Sequence, residues 1–553
     1  MTTSAAETHQ RTAGQPRGIA FAFSGSREPR KEAVSRKKPV SETVALAIPH
    51  SMSGTMERCP RKSSQSERNG LAMPSAQSPF TASAMLSIRP SSPSVLTAQT
   101  FRSTTRVADV ELDEQGRANY EAARRSMPAQ AIVDMAALKR NMERLVETVG
   151  GPESGTAVLG VVKADAYGHG LVPTALAALA GGATWLGTAK VSEALILRRA
   201  GIGPDRCHII GWMSSAPTAP LDELIINDVD LGIGSFVGID AALAAARRTA
   251  RPARIHVAVD TGFGRNGFMP DEFDAALDKL AAGKQAGLLD IVGVYSHLAV
   301  ADAPSNPLFV ANTNHQVTSF SDFVNRMTVA GVSPRIRHLA NTAATFGRPN
   351  IRFEMVRPGN GLYGYEADPR MGTPFDFGLT PAMSLQVQLG TVKRVAAGQM
   401  ISYGRTYSTP QATSIAIVPL GYADGIQRSA SGFDKQGALG IEHLGAPVRV
   451  ITKNGPRLCH VSGRVCMDQF LIDLHGYADD LDVREGDTVQ LFAPGRGAAA
   501  LEPTADDWAE CADTINYVIY TCLRNRIPRL YLHARDVLSE SDLALMDPRS
   551  ILS

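Results

Sequence analysis

Lys163 closes a short apolar run, Ala157-Val-Leu-Gly-Val-Val162, and is followed at once by Ala-Asp-Ala-Tyr-Gly-His-Gly170. An ammonium at the end of a buried strand is costly unless it is compensated or used. Desolvation lowers its pKa and makes the free amine a nucleophile for Schiff-base chemistry. An isolated Val-Val-Lys would be a lysine reaching for solvent. Here polar, aromatic and glycine residues crowd behind it. Further along, Asp260-Thr-Gly-Phe-Gly-Arg-Asn-Gly267 offers Arg265, whose planar fork suits a planar anion. His297 and His338 lie at the ends of two more apolar runs, and Tyr403 sits in Ile401-Ser-Tyr-Gly-Arg-Thr-Tyr407. A free tyrosine has a pKa of about 10, so it needs cationic surroundings to act as a base near neutrality.

The elements that must position these residues follow from the hydrophobic pattern. Ala129–Val133 reads as a short strand, Asp134 as an N-cap and the residues to Leu145 as an amphipathic helix. From there to about residue 365, apolar runs alternate with Ala-rich helical patterns. Examples of the runs are Ala157–Val162, Leu186–Thr188, His208–Ile210, Ile255–Asp260, Ile291–Ser296 and Arg337–Leu339. That rhythm argues for parallel βα units, and eight of them make a (β/α)8 barrel whose chemistry sits where strands end. After Gly378 the runs Leu385–Val395, Thr413–Pro419, Val448–Thr452 and Phe470–Leu474 are β-branched and broken by Gly, Pro and Asp, as in an antiparallel β domain. The fold class expected is α/β plus β. A disordered tail spans 1–126, the barrel 127–376, the β domain 377–536 and a C-terminal tail 537–553.

The whole chain has 553 residues and a net charge of +2, which gives no reason to expect nucleic acid as a partner. The balance is uneven: residues 1–107 hold 15 Lys+Arg against 6 Asp+Glu. That segment is rich in Ser, Pro and Arg and cannot bury much apolar surface. It is too long and irregular for a transit peptide, it has no convincing secretory core, and its internal methionines leave a later start open. No apolar run is long enough to span a bilayer, so no membrane association is expected. Six cysteines (59, 207, 459, 466, 511 and 522) form no CxxC pair and no zinc spacing. They read as free thiols in a reducing compartment, and the expected location is the cytoplasm. No metal is expected.

Val161-Val-Lys-Ala-Asp-Ala-Tyr-Gly-His-Gly170 resembles the pyridoxal-phosphate lysine motif of the alanine racemase family. The resemblance runs over about residues 129–533 and implies the same barrel and β domain. It implies pyridoxal 5′-phosphate as cofactor, with Lys163 as both Schiff-base lysine and one catalytic base. Tyr167 then binds the phosphate. Ser-Tyr-Gly-Arg-Thr-Tyr407 resembles the family's S-Y-G-x-T-Y, with Tyr403 as the second base. The loop bearing Arg265 resembles D-T-G-M-G-R-x-G, so Arg265 binds the substrate carboxylate or the cofactor's phenolic oxygen. Met355-Val-Arg-Pro-Gly-Asn-Gly-Leu-Tyr-Gly364 resembles R-P-G-x-x-L-Y-G. Arg357 then faces the pyridine nitrogen, and Gly359 and Asn360 offer N–H groups to the phosphate. His338-Leu-Ala-Asn-Thr342 supplies a phosphate hydroxyl in Thr342 and a histidine bonding the arginine. His297 stands beside the ring, and Tyr517 of Ile515-Asn-Tyr517 fills the pocket and binds phosphate. Gly421-Tyr-Ala-Asp-Gly425 and Gly463-Arg-Val-Cys-Met-Asp-Gln469 place Tyr422, Met467 and Asp468 at the substrate side and entrance.

The resemblance further implies a homodimer with shared active sites, in which Tyr403, Tyr422 and Met467 come from the other subunit. The small pocket favours alanine, for peptidoglycan D-alanine supply or D-alanine catabolism. Three departures stand out. Ala258 replaces a lysine that many members carry as a carbamate orienting the arginine. Asn360 and Gly361 replace bulkier apolar residues, and Val518 replaces a glutamate. The alternatives are a broad-specificity amino-acid racemase, a fold-type III decarboxylase, against which Arg357 argues, and a non-catalytic cofactor-binding protein, against which the β domain argues.

Overall fold

In this computed structural model the described residues are 110–215, 217–437 and 439–553. Most of the segment expected to be disordered, residues 1–109 with Cys59, lies outside them. Strand β1 (Ala129–Asp134) is buried along its whole length and leads into the helix Met135–Thr148. The expected N-cap forms: Asp134 accepts from the N–H groups of Ala136 and Ala137 at 2.9 and 3.1 Å.

Eight strands follow in parallel: β2 (Ala157–Val161), β3 (Trp185–Thr188), β4 (His208–Gly211), β5 (Val229–Ile233), β6 (Ala253–Ala258), β7 (Leu289–Tyr295), β8 (Ile336–His338) and β9 (Met355–Val356). Their order around the sheet is β8-β7-β6-β5-β4-β3-β2-β9. The last gap is bridged where the Arg357 N–H donates to the Ala340 carbonyl at 2.9 Å. The (β/α)8 barrel is therefore nearly closed. Its strands are apolar because helices cover one face and the barrel interior the other. Two of the eight strands, β5 and β9, are not among the example runs named from the sequence. β5, Val-Asp-Leu-Gly-Ile, carries a fully buried Asp230 that is affordable only because Arg254 (2.6 Å) and His256 (3.1 Å) pair with it. β9 is two residues long.

The C-terminal part contains β10 (Met383–Gln388), β11 (Val392–Val395), β12 (Met400–Ile401), β13 (Tyr407–Ser408), β14 (Thr413–Val418), β15 (Pro447–Thr452), β16 (Gly455–His460), β17 (Phe470–Asp473), β18 (Thr488–Phe492) and β19 (Arg529–Leu532). The main sheet runs β16-β15-β18-β10-β1-β19, with smaller sheets β11-β14-β17 and β12-β13. All pairs are antiparallel except β1 with β19.

Three expectations change. β1 does not begin the barrel; it pairs with β10 and β19 in the C-terminal sheet. Residues Glu114–Ser126, assigned to the tail, form a helix capped by Asp113. Its Asn119 amide donates to the carbonyls of Pro548 and Ile551 at 2.9 and 2.8 Å. The final residues are packed as well, with Leu552 fully buried beside Leu112, Ile132, Leu530 and Leu532. Each terminal segment gains its apolar contacts from the other, which a local pattern does not show. Among the described residues no helix is long and apolar enough to cross a membrane.

Candidate active site

Lys163 leaves the barrel at the C-terminal end of β2, where the chemistry of such barrels lies. The four residues after it, Ala164, Asp165, Ala166 and Tyr167, all have φ between 51° and 57°. This is a turn of left-handed helix, disfavoured for each L-residue by roughly 1–2 kcal/mol. It is held from outside: the Asp165 N–H donates to Glu193 Oε1 at 2.9 Å, and Asp165 Oδ1 accepts from the Leu171 N–H at 2.8 Å. The turn brings the Lys163 ammonium to 5.9 Å from the centre of the Tyr167 ring. Burial, then the Arg265 and Arg357 charges, lower the Lys163 pKa, with Glu193 opposing.

Tyr167 stacks on Tyr363 with ring centres 4.5 Å apart, and Tyr363 is fixed by donating to the Val161 carbonyl at 2.8 Å. The Tyr517 ring lies 5.9 Å from that of Tyr167. Gly359 passes beneath the Tyr167 hydroxyl so closely that a Cβ there would stand 2.5 Å from the oxygen. Bare backbone beside a phenol is the form of an anion cradle. The Gly361 N–H reaches Thr342 Oγ1 at 3.4 Å, joining this loop to the start of the helix Thr342–Gly347.

Arg357 is almost wholly buried and, among the described residues, pairs with no carboxylate. Its guanidinium donates to the main-chain carbonyls of His338, Ser296 (2.6 Å) and Leu339 (3.4 Å). Burial brings its pKa down to about 10, which still leaves a cation at neutral pH. The expected bond from the His338 ring to this arginine is not made. The His338 carbonyl accepts from Arg357, while its Nε2 lies 2.9 Å from His256 Nδ1. That ring is drawn toward the His256–Asp230 pair in the barrel interior. His297 is held to about 3 by burial and then by Arg357, Arg265 and Lys163, so it is a neutral imidazole.

Arg265 lies on a loop organised by one carboxylate. Asp260 accepts from the N–H groups of Gly262, Phe263, Gly264 and Arg265 at 2.8–3.1 Å. The guanidinium carbon sits 4.2 Å from the centre of the Phe263 ring, and that ring meets His297 edge-on at 5.4 Å. Among the described residues no carboxylate pairs with Arg265, and the neighbouring Ala258 is buried and uncharged.

Tyr403, Tyr422, Met467 and Asp468 form a second set on the C-terminal domain. The Tyr422 and Ala423 N–H groups donate to the Cys466 and Met467 carbonyls at 3.1 and 2.9 Å. Ser402 Oγ donates to the Arg464 carbonyl at 2.7 Å, and Asp468 accepts from Arg526 at 2.8 Å. Tyr403 is 69% exposed, Met467 55% and Tyr422 40%. No hydrogen bond or ring contact among the described residues joins this set to Lys163. The barrel set is assembled within one chain; the second set faces outward.

Several residues at the site escaped the sequence. Tyr363 lay in plain view in Gly-Leu-Tyr-Gly364. Phe263 lay beside Arg265, and only its stacking reveals a role. Glu193 carries no motif at all.

Comparison with known proteins gives one answer. Residues 133–367 match the family model for the alanine racemase N-terminal domain, and residues 382–531 match that for the alanine racemase C-terminal domain. An alanine racemase of Thermobifida fusca is 45% identical over 406 residues, 73% of this chain and 98% of that protein. The solved alanine racemase of Streptomyces coelicolor A3(2) superposes with a TM-score of 0.66 at 40% identity, covering 73% of this chain and 98% of that one. That of Bacillus anthracis, solved with bound L-Ala-P, gives a TM-score of 0.62 at 33% identity over 73% of this chain and 95% of that one.

Proposed function

This chain belongs to the alanine racemase family and interconverts L- and D-alanine, and from that premise we propose that Lys163 and Tyr403 are its two acid–base groups. The family is pyridoxal-phosphate dependent. The residues here fit that cofactor: a lysine at a strand end, a bare glycine under a phenol, and a buried cation that no described carboxylate pairs with. When bound, the cofactor supplies an electron sink for the pair left at Cα.

Lys163, Tyr167, His297, Thr342, Arg357, Gly359, Asn360 and Tyr517 would hold the cofactor, with His338 steadying Arg357 through its carbonyl. Tyr167 and Tyr517 would bound the phosphate side, Thr342 Oγ1 and the Gly359–Asn360 backbone would line it, and Arg357 would present a fixed cation to the pyridine nitrogen. A cation there opposes protonation of that nitrogen. Lys163 exchanges a proton with Cα on one face, where its lowered pKa favours the free amine. Tyr403 Oη exchanges a proton on the other face. Arg265 takes the substrate carboxylate, and Tyr422, Met467 and Asp468 close the substrate side. The outward exposure of Tyr403, Met467 and Tyr422 supports a homodimer in which each barrel receives these residues from its partner. The role is D-alanine supply for peptidoglycan, or D-alanine catabolism, in the cytoplasm.

The observation that carries this reading is Lys163 itself, half-buried at a strand end between two guanidinium charges. Borohydride reduction of the loaded protein followed by peptide mass analysis tests it. The cofactor mass is expected on the peptide bearing Lys163 and absent from Lys163→Ala; label on another lysine would refute the assignment.

A further inference from the structure

Asn360 stands in the loop that the proposed reading gives to the cofactor phosphate, and its side chain points away from that loop. It is 1% exposed, and both ends of the amide are used. Nδ2 donates to the Glu366 carbonyl at 2.8 Å and reaches Asn516 Oδ1 at 3.3 Å, while Oδ1 accepts from the Tyr520 hydroxyl. Asn516, 4% exposed, in turn donates from Nδ2 to Asp506 Oδ1 at 2.8 Å. Asn516 begins the short helix Asn516–Thr521, so Tyr517, against Tyr167, is the next residue along. Asp506 lies in the first turn of the helix Ala505–Cys511, beyond the barrel in sequence and in fold.

The chain of bonds therefore runs from a C-terminal helix, through the residue preceding Tyr517, to the residue following Gly359. Buried amides are tolerated only when their bonds are made, and a fully satisfied buried network is rigid. On its other side the loop is fixed by Thr342 at Gly361 and closely packed by Tyr167 at Gly359. The side chain of Asn360 is the handle by which the C-terminal part grips it.

We propose that Asp506 and Asn516 are positioning residues that set the phosphate loop through Asn360, so that the C-terminal part controls how firmly the phosphate end of the cofactor is held. Neither touches the cofactor. This rests on the reading that the Gly359–Asn360 loop binds phosphate, and the test separates the two. Full-length protein is loaded with pyridoxal phosphate, or with pyridoxal, which lacks only the phosphate, and release is followed by absorbance after dilution. Both share the bond to Lys163, so the difference between them reports the loop.

In the wild-type protein pyridoxal should leave faster. In Asn516→Ala and Asp506→Ala, release of pyridoxal phosphate should rise about tenfold, the scale of one hydrogen bond to a charged group, with pyridoxal release unchanged. Asp506→Asn keeps an acceptor for Asn516 and should restore slow release. Equal acceleration of both compounds, or of neither, would overturn the tether and leave the loop reading standing. Equal release of the two from wild type would overturn the loop reading and the tether with it. If Asn516→Ala does not fold, the Asp506→Ala and Asp506→Asn pair decides alone, since Asp506 is only part-buried.

Discussion

At the scale of single residues, the site holds its two guanidinium groups without pairing either to a carboxylate among the described residues. Lys163 is flanked by Arg265 and Arg357, and neither guanidinium has an acidic partner among the described residues. Arg357 is satisfied by main-chain carbonyls. Arg265 is steadied by the face of Phe263, at 4.2 Å. Such a contact contributes about 0.5–2 kcal/mol. Phe263→Leu should therefore raise the KM for alanine about fivefold, with a smaller change in kcat, and Phe263→Tyr should restore it. Steady-state kinetics checks this; a fall in kcat at constant KM would assign Phe263 another role. The motif residues were legible because their types and order are specific. The His338 ring was not, because its partner His256 lies 82 residues earlier on another strand, and sequence spacing carries no such pairing.

At the scale of elements, two features join the Tyr167–Gly359 side of the site to its surroundings. One is the left-handed turn after β2, whose positive φ values at four successive non-glycine residues give no sign in the sequence. Such strain persists only where surrounding structure over-determines it, and here Glu193 and the Leu171 N–H do so. The other is the polar layer between the loop after β9 and the helix Ala505–Cys511. Glu366, 3% exposed, has one carboxylate oxygen without a partner, and burial, then Asp506, Asp368 and Asp376, push its pKa up to about 7. A carboxyl raised in the folded state stabilises the fold below the ordinary carboxyl range and loses that contribution as pH rises through about 7. Thermal midpoints should thus fall between pH 5 and pH 8. Glu366→Gln should match the wild type at pH 5 and exceed it at pH 8; identical curves would show that Glu366 ionises freely. Alternation of strands and helices made the barrel readable. The strand β1 was misassigned because its partners β10 and β19 lie hundreds of residues away, and a buried strand looks the same in either sheet.

At the scale of the whole molecule, one chain assembles the set around Lys163 and turns the Tyr403 set outward. Lys163→Ala and Tyr403→Phe should each be inactive alone. Mixed under conditions that exchange subunits, they should regain about one quarter of wild-type activity, because half the dimers are mixed and each has one intact site. Activity is read at equal total protein; no recovery would contradict shared sites. The most direct test of the two-base account is Tyr403→Phe, loaded with cofactor and incubated in D₂O with L-alanine and D-alanine separately. Chirality and Cα deuteration are followed together. The account predicts that interconversion is lost in both directions, while the enantiomer facing Lys163 still exchanges its Cα hydrogen with retention and the other stays inert. Interconversion at the wild-type rate would contradict it.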